Sequence, residues 1–276
     1  METIQKQELG EFYKELRIAR KRKQKDVARE GLSVSQLSKF ENGQSMLSAD
    51  KLLIAIEGIN MTFSEFGHAL RGYQNTDFIN KGQEITTLFN HQDKDSLEKR
   101  LSVANTVYDK LMNGVIYASL LILDPTYSIP SGQKEFLVYY LYEIEHWTEF
   151  EFYIFCNSTS LLSNEDLIFL SRELLKKSQY YANLACTKRY IKMNYLNLVS
   201  DFIDRKEYDY ADLFSKELKK LLSYEDTFQC ILLDFLDLYL KLIKGEISRE
   251  QVEEYIKKVE ELKLYVLKNL MLNKLD

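Results

Sequence analysis

Eight basic residues (Lys14, Arg17, Arg20, Lys21, Arg22, Lys23, Lys25 and Arg29) stand within sixteen positions against two acids, Glu15 and Asp26. This stretch carries a net +6 in a chain of net −5, so the remainder carries −11. Such asymmetry suits a polyanion that meets one end of the molecule only. Metal chemistry has weaker support. The three histidines include two Glu-x-x-His pairs, Glu65 with His68 and Glu143 with His146, but nothing in the pattern brings the pairs together, and no metal site is expected. Cys156, Cys186 and Cys230 are odd in number and set among apolar or aromatic residues, as free core cysteines are. There is no G-x-S-x-G, H-E-x-x-H or phosphate-cradling glycine motif, so neither an enzyme nor a cofactor is expected.

The elements that position the basic run are helical. Ten glycines and two prolines in 276 residues amount to about 4%, where average usage gives about 12%, too few turn residues for an all-β fold. No apolar run approaches the ~20 residues that span a bilayer, and METIQKQELG has no apolar stretch of a signal peptide. A cytoplasmic chain with no membrane contact is therefore expected.

Leu9, Phe12, Tyr13, Leu16 and Ile18/Ala19 form the apolar stripe of a first helix. Asp26–Glu30 reads as a short second helix stopped at Gly31. Ser33 caps a third over Val34–Asn42, and Gly43 ends it. Ala49–Ile59 behind Ser48 and Phe63–Leu70 behind Thr62 complete a five-helix unit over residues 1–70, followed by a linker at 71–77.

Residues 8–70 resemble the helix-turn-helix domain shared by phage repressors and Xre-type regulators. Arg17, Gln24, Ala28, Ser33 and Ser38-Lys39-Phe40-Glu41-Asn42-Gly43 carry the resemblance. The strings ELGEFYKELRIAR, GLSVSQLSKFENGQSMLSADKLL and INMTFSEF are in turn similar to the Rgg/MutR/GadR group of Gram-positive regulators. The resemblance implies that Lys23 and Gln24 meet the sugar–phosphate backbone and that Ser33 caps the recognition helix against a phosphate. It puts Val34, Ser35 and Lys39 at base-facing positions with Gln36 beside them, and Asn42 and Gln44 at further phosphates. Arg17 and Glu41 match a structural ion pair. Phage repressors carry glutamines at several base-facing positions, so the operator does not transfer: Val34 offers only methyl contact, and Lys39 suits guanine or a phosphate.

Beyond Thr76 the helical pattern breaks near 91–93, 124–131, 163–164, 204–206 and 244–246. Intervals of about 36–41 residues mark stacked helix pairs of the tetratricopeptide or HEAT kind over 78–276, and Tyr208-Asp209-Tyr210-Ala211 has the start of such a helix. One long helix is expected over Ser178–Asp204. Its stripe of Asn183, Thr187, Tyr190, Asn194, Asn197 and Asp201 either lines a concave wall that holds a peptide backbone or faces water. Tyr153 and Asn157, at a similar step, would join that wall.

The expected whole is an all-α transcription regulator, a helix-turn-helix followed by a tetratricopeptide-like solenoid. Its expected partners are double-stranded DNA and a second copy of itself, because one recognition helix reads too few base pairs. The resemblance adds a short signalling peptide, secreted and re-imported. A helical-repeat adaptor and a ligand-independent Xre-type repressor are the alternatives.

Overall fold

The computed structural model describes residues 6–103, 106–181 and 185–275. Among them the secondary structure is helical, with one isolated bridge between Arg29 and Leu32. The chain divides into two compact units, residues 1–83 and 84–276, with the division inside helix α6.

The first unit holds α1 (Lys6–Ala19), α2 (Gln24–Val27), α3 (Val34–Glu41), α4 (Ala49–Gly58) and α5 (Phe63–Leu70). Their apolar faces close on Tyr13, Val27, Leu37, Phe40, Ile56 and Phe66, all at most 2% exposed. The buried Tyr13 hydroxyl donates to the Ala55 carbonyl at 2.8 Å, so the ring anchors α1 to α4 without stranding a polar atom. The second helix starts earlier than its sequence pattern suggests. The Asp26 carboxylate accepts the Lys23 N–H at 2.8 Å, which makes Asp26 the third residue of α2. Ala28 is already extended, because Arg29 and Leu32 exchange both backbone hydrogen bonds around Gly31, whose φ is +88°. Gly43, at φ +68°, donates to Phe40 O while Gln44 donates to Lys39 O, and this closes α3.

Helix α6 (Asp77–Asn90) and α7 (Lys94–Lys99) precede a series of helix pairs: α8 (Val107–Leu123) with α9 (Gln133–Glu143), α10 (Glu149–Cys156) with α11 (Asn164–Tyr181), α12 (Ala185–Asp204) with α13 (Tyr208–Leu221), and α14 (Thr227–Ile243) with α15 (Arg249–Glu261). A last helix, α16 (Tyr265–Leu275), follows. One row runs α8, α10, α12, α14, α16, each packed on the next, and α9 packs on α11 in a second row. The breaks at 124–131, 163–164, 204–206 and 244–246 are the turns within pairs. The turns between pairs were silent because they lack glycine and proline. The turn before α10 instead buries Trp147 completely, and Thr148 caps the helix with Glu151.

The single helix expected over Ser178–Asp204 is two. Ser178 Oγ and Tyr195 Oη are 2.7 Å apart, whereas seventeen residues of continuous helix would separate them by about 25 Å. The chain therefore folds back between α11 and α12, a reversal that apolar periodicity does not register when both helices present stripes of the same period. Asn183 and Leu184 lie outside the described residues, as does the side chain of Cys186. The inter-row seam is aromatic: Phe214 of α13 packs on Phe202 and Tyr195 of α12 at 5.7 and 5.3 Å, and Ala211 is fully buried.

Candidate functional site

In α3, Leu37, Phe40 and Glu41 point inward, while Ser33, Val34, Ser35, Lys39 and Asn42 are exposed along the opposite face. Ser33 Oγ accepts the Gln36 N–H at 3.2 Å, and Gln36 Oε1 accepts the Ser33 N–H at 3.1 Å. This reciprocal cap ties up the Gln36 carbonyl oxygen, so Gln36 has only its amide donors to offer. Asn42 donates to Ser38 O at 2.9 Å, and Gln44 is exposed just beyond the helix. Lys23 is exposed at the start of α2.

Beneath this face lies a charged network. Arg17 Nε and Nη2 donate to the two oxygens of Glu41 at 2.6 and 2.7 Å, a bidentate pair that joins α1 to the end of α3. The Glu41 side chain is fully buried. Arg17 Nη1 donates to Arg22 O at 2.6 Å, and Gln24 Nε2 donates to Glu41 Oε2 at 2.7 Å. The hydrogen bond to Glu41 holds the Arg17 guanidinium above its ordinary pKa against the opposing effect of burial. Gln24 is thus half-buried and oriented by Glu41 rather than freely presented. Sequence reasoning did not anticipate the Arg22 carbonyl or the Tyr13 anchor, for which residue type alone carries no signal.

The asparagine stripe of α12 does not form an open wall. Asn194 is 1% exposed. Its amide donates to Phe152 O of α10 at 3.0 Å and to Tyr190 O at 2.9 Å, while its Oδ1 is buried without a partner. Thr187 is buried too. The stripe faces the neighbouring helix because α10 packs along that side of α12. Asn197 donates to Cys156 O and Sγ at 3.3 and 3.1 Å. Asn157 ends α10 by donating to Tyr153 O at 2.8 Å, and Tyr153 is 9% exposed. Burial pushes Tyr190 up to about 12, helped by the Glu149 carboxylate beside it. Burial likewise raises the Asp201 carboxyl above its usual range, against the hydrogen bond from Thr159, and one of its oxygens has no partner. The Cys156 thiol rises to about 12 through burial, so it holds no thiolate at neutral pH. Cys156 and Cys230 are both free.

The side of α12 left uncovered lies one step round the helix. Arg189, Met193, Asn197, Ser200 and Asp204, at intervals of four and three, are exposed or half-exposed. Beside it, Lys192 pairs with Asp226 at 2.5 Å and links α12 to the start of α14. Burial pushes the Asp226 carboxyl up, but Lys192 and Ser223 outweigh it and hold the group below its usual range. Lys274 of α16 donates to Ser200 Oγ at 2.7 Å and to Asp204 at 2.6 Å. Among the described residues, no cluster of three metal-binding side chains occurs, and no helix is long and apolar enough to cross a membrane.

A model of the carboxyl-terminal domain of the helix-turn-helix transcriptional regulator Rgg matches residues 89–272, and a helix-turn-helix model matches residues 14–66. The chain belongs to the Rgg family. Solved structures share its fold over nearly the whole length. The Streptococcus dysgalactiae SHP pheromone receptor Rgg2 is 21% identical, with a TM-score of 0.77 over 96% of this chain and 97% of that one. A Listeria monocytogenes protein matches at 20% identity and TM-score 0.78, over 97% and 95% of the two chains. The PrgX/cCF10 complex matches at 15% identity and TM-score 0.66, over 97% and 98%.

Proposed function

We propose that this Rgg-family chain is a sequence-specific DNA-binding regulator whose affinity for its operator is set by a short peptide. The observation that carries the DNA reading is the exposed face of α3 held on the buried Arg17–Glu41–Gln24 network. In this reading Val34, Ser35 and Lys39 face base edges, with Gln36 offering donors beside them. Lys23, Ser33, Asn42 and Gln44 meet phosphates, and Gln24 supports them from beneath. Functionally, residues 1–70 are the DNA-binding head, 71–77 the linker and 78–276 the sensing and dimerising body. Two heads on a two-fold operator supply the affinity that one recognition helix lacks, so the working form is a cytoplasmic homodimer.

The peptide reading draws support from two relatives of this fold, an SHP pheromone receptor and PrgX in complex with cCF10. On this chain the ligand lies along Asn197, Arg189 and Met193 of α12 with Tyr190, Tyr153 and Asn157 alongside. Asn194 and Asp201 shape that wall from within. The ligand acts by binding two arrangements of the dimer with different affinity.

DNA flanking the gene of this protein is the probe for the first site. In anisotropy titrations across salt, Lys23→Ala should weaken every sequence alike and lower the slope of log K against log salt by about 0.9. Ser35→Ala should instead narrow the preference for operator over scrambled DNA and leave the slope unchanged. A Lys23→Ala slope equal to wild type removes Lys23 from the phosphate contacts.

Calorimetry with a panel of short synthetic peptides addresses the second site. Asn197→Ala should weaken the best binder about three- to tenfold, the worth of one neutral hydrogen bond to its Oδ1, with a small fall in Tm because its amide also donates to Cys156. Asn194→Ala should lower the Tm of the second unit, because it frees the buried Phe152 carbonyl. Asn197→Ala binding its peptide at full strength would move the ligand site off α12.

A further inference from the structure

The geometry points to a small-molecule site between α11 and α13, built to take an uncharged amphiphile that carries a hydroxyl group on an apolar body. Both helices pack on α12, and a cavity of about 530 Å³ lies between them, within the ~300–1,000 Å³ usual for small-molecule sites. Leu175 of α11 and Leu221 of α13 form its apolar walls, and the buried Ser178 and Tyr195 form its polar floor. The Tyr195 ring packs edge-on against Phe214 at 5.3 Å, so the floor is fixed. The site is separate from the proposed peptide wall, because Tyr195 and Asn197 stand two positions apart on α12 and project about 200° apart. It holds whether or not a peptide binds on the other side.

The hydrogen bonds of the floor select the head group. Ser178 Oγ donates to Leu175 O at 2.9 Å and stands 2.7 Å from Tyr195 Oη. A serine hydroxyl has one proton; with that proton on the Leu175 carbonyl, the Tyr195 hydroxyl donates to Ser178. Burial pushes Tyr195 up to about 12, so its proton stays in place at neutral pH. Both protons are then used inside the protein, and Tyr195 Oη keeps its acceptor capacity with no donor to offer. A ligand hydroxyl supplies the missing donor. A carboxylate or an ether sets lone pair against lone pair, and an ammonium would be buried on neutral oxygens without a counter-ion, which costs more than the bond returns. Charges beside the cavity do not alter this choice, since they are already paired: Lys176 with Glu173 and Lys220 with Glu217, both at 2.5 Å. The methylene stems of these lysines extend the apolar walls.

The test is saturation-transfer NMR and thermal melting of the full chain with 1-octanol, with its isomer 1-methoxyheptane, which lacks the hydroxyl proton, and with octanoate. The alcohol should bind and raise the Tm as its concentration rises. It should exceed the ether about three- to tenfold, the worth of one neutral hydrogen bond, with octanoate weaker still. Tyr195→Phe keeps the cavity and removes the acceptor, so the alcohol should fall to the level of the ether. Leu221→Trp fills the cavity with an indole ring and should abolish binding of all three probes, which separates this site from partition onto exposed apolar surface. If Tyr195→Phe melts early through loss of its bond to Ser178, Leu221→Trp and the alcohol-to-ether ratio of wild type decide the matter. An alcohol that does not bind wild type up to its solubility limit, that binds no better than the ether, or that binds Leu221→Trp undiminished overturns the site.

Discussion

Glu41→Ala is expected to melt the amino-terminal unit far earlier than the rest of the molecule. The substitution removes the two carboxylate oxygens that accept from Arg17 Nε and Nη2 and leaves that guanidinium, whose side chain is 9% exposed, with the Arg22 carbonyl; it also removes the acceptor of Gln24. Stranding one member of a buried pair costs about 3–5 kcal/mol. A domain of this size holds only about 5–15 kcal/mol in total, so a fall of roughly 12 °C or more in its Tm follows. The single tryptophan allows the two units to be followed separately. Trp147 lies fully buried in the second unit, so helical circular dichroism should show an early transition that tryptophan fluorescence does not. Arg17→Met combined with Glu41→Leu should recover most of the loss, since two apolar side chains leave no buried charge without a partner. The guanidinium pKa is raised, so its contribution is fully present below the ordinary arginine range and lost only as pH rises beyond it; no pH dependence from this group is expected near neutrality. If Glu41→Ala melts like wild type yet loses DNA, the pair is a functional surface and not a support.

Gly10→Ala is expected to destabilise the same unit by about 3 kcal/mol, although alanine is the better helix former by about 1 kcal/mol. A Cβ at Gly10 would stand 1.9 Å from the Phe40 carbonyl oxygen and 2.9 Å from its carbon. Both are backbone atoms, so no rotamer change relieves the overlap and α1 has to move off α3. That movement also parts the Tyr13 and Phe40 rings, now 5.8 Å apart, and strains the Arg17–Glu41 pair one turn further along. Gly67→Ala in α5 is the matched control. Its Cβ would meet only the tip of Arg71 at 3.5 Å, so this change should raise the Tm slightly. Equal behaviour of the two variants would show that α1 and α3 do not approach as closely as described.

The helical class, the five helices of the head and the cap of α3 were legible in the sequence because each depends on neighbours within a few residues. Apolar period, the caps Ser33 and Thr62 and the glycines at 31 and 43 are local signals, and local physics answers them. The turns within helix pairs were legible for the same reason, being built at Asp124-Pro125, Ser163-Asn164 and Gly245. Tertiary structure decided what a stripe faces. Along α12 the rows Tyr190–Asn194–Asn197–Asp201 and Arg189–Met193–Asn197–Ser200–Asp204 have the same period and differ by about one residue of rotation. Only the position of α10 buries Asn194 on the Phe152 carbonyl and leaves Arg189 exposed. It also decided that Ser178–Asp204 is two helices, through a contact between Ser178 and Tyr195. A helix's period says which residues share a side, but which side is covered is set by partners 40 residues away in the chain, and the periodicity of one segment contains nothing about them.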